Sequence, residues 1–165
     1  MTMIKSEKGA TLIEFVLVLP LLVLFLFAII EFSVLMYDKA VITLGSREGA
    51  RAAVVWRPET STFLDTTEVG DEVDKFLGVV GTAPPTRLIS FGDETTALQA
   101  YVIEWSPVKD GSWDASGFDP TTDHYMRVIV RYRYDFMVLR GLDFIGFPAT
   151  ITLQGETIMR MENPS

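Results

Sequence analysis

An uncharged apolar run near the N-terminus constrains this 165-residue chain more than any other feature. Residues 15–30 read FVLVLPLLVLFLFAII, and residues 10–13 extend the run upstream, with Glu14 as the only charge between them. About 20 such residues cross the roughly 30 Å hydrocarbon core of a bilayer as a helix. A helix on the surface of a soluble domain would carry a polar face, which this run lacks. The sequence therefore predicts a transmembrane helix over about residues 12–32.

The charges on either side of this run predict its orientation. Lys5 and Lys8 precede it, whereas Glu31 and Asp38 follow it. The positive-inside rule then places the N-terminus in the cytoplasm and the rest of the chain outside the inner membrane, as a single-pass protein. A cleaved secretory signal is the alternative, but the residues after Ile30 offer no small-residue cleavage site.

The rest of the composition excludes several classes of protein. The chain has no cysteine and a single histidine, His124, so thiolate metal sites, disulfides and multi-histidine metal sites are excluded. Its net charge is −8, and residues 58–165 carry 17 acidic and 8 basic side chains, which disfavours nucleic-acid binding. No nucleophile, phosphate-loop or dinucleotide motif occurs. We therefore expect no enzymatic activity, no cofactor and no small-molecule substrate.

Two residues inside the apolar run are unusual for a membrane helix. Pro20 removes a backbone donor, so a kink or a locally opened turn is expected near it. Glu14 is costly at membrane depth. Its carboxylate either lies at the cytoplasmic interface or pairs with a cation inside an assembly, and the residue alone leaves both readings open.

The helix is expected to continue well beyond the membrane, over residues 10–57, because no proline follows Glu31 until Pro58. Gly45 and Gly49 are four residues apart and so share one face, which Ala53 extends. Such small residues allow close packing, either under the chain's own β-sheet or against another subunit.

A charged cluster lies beside these small residues. Arg47 and Arg51 are like charges at i and i+4, and Glu48 lies three residues before Arg51, so a local salt bridge is expected.

Residues 58–165 are expected to form an extracytoplasmic α+β domain. Apolar spacing and acidic first turns predict a short helix over residues 65–80. Strand patterns occur at residues 87–91, 99–105, 125–139 and 149–161, with Gly155 expected at a bulge or bend. In the range 125–139, arginines alternate with apolar residues at a period of two. These strand patterns indicate an antiparallel sheet with one face on the long helix.

The acidic loop 106–124 lacks the residue spacing of a calcium site and is interpreted as a solvated loop. The sequence leaves open whether this loop binds calcium or a partner protein.

The segment at residues 5–15, KSEKGATLIEF, joins a short leader to the apolar run. A short basic leader ends at Gly9, Ala10 opens the apolar run, and Glu14 is the fifth residue from Ala10. This segment resembles the class III signal of type IV pilins, which a prepilin peptidase cuts after the glycine. Together with Pro20, Glu31-Phe32 and the segment SREGARAA at residues 46–53, it resembles the TadE-like family, pseudopilins of the tight-adherence (Tad/Flp) pilus system.

The resemblance implies a pilin-like fold, in which a long N-terminal transmembrane helix packs on a C-terminal antiparallel sheet. It implies removal of residues 1–9 and assembly as a minor pilin or pseudopilin that joins or initiates a Tad-type pilus. The implied partners are the membrane, a prepilin peptidase, other Tad pilins and the assembly machinery. Glu14 would then pair with the freed amine of Ala10 on a neighbouring subunit.

Two departures from the major pilins of this system favour a minor component. The chain has Glu14-Phe15 where they have Glu-Tyr, and it continues for over 100 residues after the apolar helix. The alternative function is that of an uncut bitopic envelope adaptor, whose extracytoplasmic domain binds a partner protein.

Overall fold

The computed structural model describes residues 7–55, 57, 64–80, 85–89, 98–106, 125–141 and 146–161. Two helices are followed by three strands: α1 (Glu7–Ala53), α2 (Thr66–Leu77), β1 (Leu98–Ser106), β2 (Tyr125–Asp135) and β3 (Thr150–Arg160). The predicted α+β architecture, a long N-terminal apolar helix packed on an antiparallel sheet, is confirmed. Pro58 and residues 107–124 of the acidic loop lie outside the described residues.

Helix α1 has 47 residues and is therefore roughly 70 Å long at 1.5 Å per residue. It is continuous through Pro20 and ends at Ala53, four residues before the expected end at residue 57. It is long and apolar enough to cross a membrane, and the most apolar part is not buried by the rest of the chain. This agrees with a single-pass membrane protein.

Helix α2 confirms the helix predicted over residues 65–80, although it ends earlier. The carboxylate of Asp65 accepts from the backbone N–H of Glu68 at 2.8 Å, and Glu68 accepts in return from the N–H of Asp65. This reciprocal capping box begins the helix. Gly78, with φ of 75°, ends it in the left-handed region. The turn at Gly78 leaves Val80 76% exposed, so Val80 does not join the buried apolar residues Val69, Val73 and Leu77 of α2.

The sheet is antiparallel with the strand order β1-β2-β3. The predicted period of two in β2 is confirmed, because the even-numbered residues are buried and arginines alternate with most of them. The buried face packs on α1 and α2 and forms the core of the domain. The core residues of β2 are Met126, Val128, Val130, Tyr132 and Tyr134.

Two of the strand predictions from the sequence differ from the structure, one at the end of β2 and one at residues 87–89. Strand β2 ends at Asp135 rather than Leu139, because the backbone N–H groups after Phe136 turn toward α1. Of the strand expected at residues 87–91, residues 87–89 form a turn, and residues 90 and 91 lie outside the described residues. The N–H of Arg87 donates to the carbonyl of Leu77 at 3.1 Å, and the N–H of Ile89 donates to the side chain of Asp38.

Gly155 does not form the expected bulge. The pairing of β3 with β2 runs without a shift from Thr150 to Arg160, and Gly155 lies opposite Val130. A Cβ on Gly155 would lie 2.6 Å from the carbonyl oxygen of Ile42. The glycine is therefore required by the close approach of β3 to α1 rather than by an irregular strand.

Candidate functional site: the N-terminal helix and its contacts with the domain

The residues of the expected cleavage site lie within α1. Gly9 and Ala10 follow its first residue, Glu7, without a break in the helix. Glu14 is exposed one turn further on, and residues four apart in a helix lie on the same face. Nothing in the described part of the chain covers this carboxylate, so it is accessible to a partner.

The apolar run that follows presents its side chains outward. Between Leu12 and Ile30, nearly all large apolar side chains are 39–73% exposed. Pro20 lies inside this exposed part of the helix. An apolar surface of this size requires either lipid or other apolar helices around it.

The small residues further along α1 are covered by the chain's own domain. A Cβ on Gly49 would lie 2.5 Å from Cγ2 of Val73 in α2, and a Cβ on Gly45 would lie 3.3 Å from Cδ2 of Leu77. Ala53 is fully buried. The sequence left two partners open, the chain's own sheet and another subunit, whereas the residues nearest to both glycines come from α2.

The charged cluster beside these glycines is exposed. Arg51 and Glu48 approach to 3.8 Å, with 75% and 46% of their side chains exposed, and Arg47 is exposed as well. An exposed pair of this kind contributes about 0–1 kcal/mol to stability. The cluster therefore lies on the solvent-exposed side of α1.

Glu31 makes the most extensive polar contact between α1 and the domain. It is 2% exposed, and one oxygen, Oε1, accepts from the backbone N–H groups of Met137 and Val138. The other, Oε2, accepts from the N–H of Leu139 at 3.1 Å. A carboxylate is suited to this position because hydrogen bonds to a charged acceptor are about twice as strong as neutral ones.

Asp38 lies two turns further along the same face and is fully buried. Its Oδ1 accepts from the N–H of Ile89 at 2.9 Å, while Oδ2 has no hydrogen-bond partner within the described part of the chain. Burial raises the pKa of Asp38 from 3.8 to about 6, although the hydrogen bond from Ile89 opposes this shift. Burial and the charges of Glu31 and Asp38 also raise the pKa of Tyr134.

Two further side chains connect α1 to β3. The Nζ atom of Lys39 donates to the carbonyl oxygen of Gln154. The hydroxyl of Ser46 lies 2.8 Å from the hydroxyl of Thr157. We call the four α1 side chains Glu31, Asp38, Lys39 and Ser46 the polar seam. It fixes the domain on α1 directly after the apolar run.

The polar seam was not predicted from the sequence, although a signal for it exists. Glu31 and Asp38 are seven residues apart, and the buried residues Leu35 and Ile42 alternate with them. A charge on the apolar stripe of a helix requires a hydrogen-bond partner when it is buried. The sequence does not show that the partners are backbone groups more than 50 residues away.

No group of side chains in the described ranges is arranged to hold a metal ion. What the arrangement provides is an accessible apolar helix with a carboxylate near its start and a domain fixed to one side of its C-terminal half.

The chain resembles a known protein family over its N-terminal helix. No curated protein and no solved structure matches the chain significantly. The family model described as TadE-like protein matches residues 9–51. The match begins at Gly9 and includes the apolar run, all four residues of the polar seam, and the two glycines Gly45 and Gly49. The suspected resemblance is thereby confirmed: the chain has a TadE-like N-terminal segment, which indicates a protein associated with the Tad pilus.

Proposed function

We propose that the protein is a minor pilin or pseudopilin that joins, or initiates, a Tad-type pilus through its N-terminal helix. In this proposal the chain inserts with its N-terminus in the cytoplasm, and a prepilin peptidase cuts between Gly9 and Ala10. The observation that carries the proposal is the TadE-like match, which begins at Gly9 itself. The proposed role is structural, with the chain as the substrate of the peptidase.

The exposure of α1 supports assembly through this helix. The domain packs on one side of α1 beyond Ile30 and leaves residues 15–30 uncovered. In the membrane, lipid surrounds this surface. In a fibre, the apolar helices of neighbouring subunits would replace the lipid, with little change in the environment of each side chain.

Glu14 is proposed to position neighbouring subunits. Cleavage after Gly9 would create a positive charge at the amine of Ala10. At a separation of about 4 Å and an effective dielectric constant near 20, this amine and a carboxylate attract each other by about 4 kcal/mol. The attraction offsets part of the cost of burying a carboxylate at membrane depth, which is about 2.5–3.5 kcal/mol at the centre of the bilayer. Buried pairs are best known as determinants of register, which is the role proposed here.

A Glu14→Gln substitution tests this role in cells that express the peptidase and the Tad assembly machinery. The variant keeps the shape of the side chain and loses its charge, so we expect a loss of extraction from the membrane and of partner co-purification. Glu48→Gln is the matched control, because Glu48 is a carboxylate on the exposed side of the same helix. Normal processing, extraction and co-purification of Glu14→Gln would contradict the proposed role.

An uncut bitopic adaptor is the second candidate. The observation that favours it is the continuity of α1 across Gly9 and Ala10, because an intact helix from Glu7 onward would serve as a permanent anchor. The first residue of the chain extracted from membranes distinguishes the adaptor from the pilin.

A further inference from the structure

We propose that the loop after β2, residues 136–141, lies on the outer surface of the bilayer that α1 crosses. In this arrangement Met137 enters the boundary between headgroups and acyl chains, and Arg140 contacts the phosphates of anionic lipids. The inference rests on α1 spanning the membrane. It is independent of cleavage and of pilus assembly.

Glu31 determines the depth of the loop. It is the first charge after the uncharged residues 15–30 and lies 17 residues beyond Glu14. This separation corresponds to about 26 Å along the helix, close to the roughly 30 Å thickness of the hydrocarbon core. If Glu14 lies near the cytoplasmic boundary, Glu31 therefore lies near the outer one.

The loop is held at this level by hydrogen bonds. The backbone N–H groups of Met137, Val138 and Leu139 all donate to the carboxylate of Glu31. Three consecutive backbone groups bound to one side chain keep the loop within a few ångströms of the membrane boundary. The loop cannot move away from the membrane unless these bonds break.

Aromatic side chains on the uncovered side of α1 indicate the same boundary. Phe32 is 61% exposed and Tyr37 is 49% exposed. Tyrosine is enriched where membrane proteins meet the headgroup region, because its ring is apolar and its hydroxyl is polar. Both residues lie within two turns of Glu31, so the helix and the loop reach the interface together.

The side chains of the loop suit a lipid surface. Met137 is 49% exposed, although methionine in a rigid loop would ordinarily be covered. Arg140 is exposed three residues later, and basic residues next to a membrane are attracted by anionic headgroups. The ring of Phe136 packs edge-on against Phe147 at 5.4 Å, which fixes the base of the loop from within the domain.

The absence of cysteine makes single-site labelling straightforward. Full-length chains with Met137→Cys, Ile158→Cys or Leu22→Cys would be labelled with an environment-sensitive fluorophore and reconstituted into phosphatidylcholine vesicles. Doxyl-labelled lipid would be added as the quencher. Ile158 is the matched control, since it is 38% exposed and pairs with Arg127 near the opposite end of β2. Leu22 reports on the membrane span.

The expected result is quenching at positions 22 and 137 and none at 158. Quenching at 22 without quenching at 137 would overturn the inference and leave the membrane span intact. Absence of quenching at both positions would overturn the span and, with it, the inference.

The lipid contact of Arg140 needs a second comparison. With phosphatidylglycerol added to the vesicles, the emission of the label at 137 should shift further to the blue, and Arg140→Gln should remove this additional shift. An equal shift with and without Arg140 would overturn the assigned contact with lipid phosphate.

Discussion

Gly155 of β3 lies against the backbone of Ile42 in α1, so closely that a Cβ on Gly155 would be 2.6 Å from the carbonyl oxygen of Ile42. The neighbouring atoms belong to the backbone of a helix and cannot rotate away. The two elements therefore meet at a point where only glycine fits. Lys39 and Ser46, three residues before and four residues after Ile42, both bond to β3.

Replacing this glycine should weaken the contact between α1 and the sheet. We expect Gly155→Ala to lower the free energy of unfolding by about 1–3 kcal/mol, the usual cost of forcing an extra carbon into a packed interface. The measurement is chemical unfolding of the full chain in detergent. Gly141→Ala is the control, because a Cβ on Gly141 would have no atom within 4 Å. Equal stability of the two variants would contradict the close approach.

Neutralising Glu31 should release the loop after β2. Glutamine has one acceptor oxygen, so Glu31→Gln cannot satisfy the three N–H groups that bond to the carboxylate. Hydrogen bonds to a charged group contribute about 1.5–3 kcal/mol each, and we expect a loss of that order. Amide hydrogen exchange should become faster at Met137, Val138 and Leu139. Glu48→Gln should leave these amides unchanged, and unchanged exchange in Glu31→Gln would contradict the contact.

The stability of the chain should depend on pH through Asp38. Because burial raises the pKa of Asp38 from 3.8 to about 6, the folded chain binds the proton more tightly than the unfolded chain. Stability from this group is therefore highest below about pH 4, falls as the pH rises to about 6, and stays low above it. The shift corresponds to at most about 3 kcal/mol.

The comparison of Asp38→Asn with the unsubstituted chain isolates this effect. Asparagine can still accept from the N–H of Ile89, but it does not ionise. The unfolding free energies of the two chains should diverge between pH 4 and 6, in favour of the variant at higher pH. Glu48→Gln, on the exposed side of α1, is the control. Parallel pH profiles for Asp38→Asn and the unsubstituted chain would be the contradicting result.

The two glycines of α1 that face α2 should differ in their tolerance of alanine. A Cβ on Gly49 would meet Cγ2 of Val73 at 2.5 Å, whereas a Cβ on Gly45 would meet the end of Leu77 at 3.3 Å. Valine is stiff at χ1 and cannot withdraw easily. We expect Gly49→Ala to be less stable than Gly45→Ala by about 1–3 kcal/mol, measured by unfolding in detergent. The reverse order would contradict the packing of α2 on this face.

Local patterns in the sequence were sufficient to predict the main elements. The uncharged run predicted α1, and the alternation of arginines with apolar residues predicted β2. The acidic start of α2 and its apolar spacing predicted that helix. These patterns are local, because each reflects how one element presents a face to water, lipid or the core.

Contacts between distant parts of the chain were not predictable in the same way. Residues 87–89 of the strand expected at 87–91 form a turn instead, because the N–H groups of Arg87 and Ile89 bond to α2 and to Asp38. Gly155 was expected at a bulge or bend, because a glycine inside a strand often marks one. The sequence does not show that another element, α1, approaches this glycine closely. The partners of Glu31 are backbone N–H groups. Every residue except proline has such a group, so the identities of the donating residues do not reveal the contact. The cleavage site and the role of Glu14 stay predictions.

The N-terminus of the mature chain tests the proposed function most directly. The full-length protein would be expressed with and without a prepilin peptidase, extracted from membranes and analysed by N-terminal sequencing and intact mass. The pilin proposal predicts a chain that begins at Ala10 when the peptidase is present and at Met1 or Thr2 when it is absent. A chain that keeps its first nine residues in the presence of an active peptidase would contradict the proposal and favour the uncut adaptor.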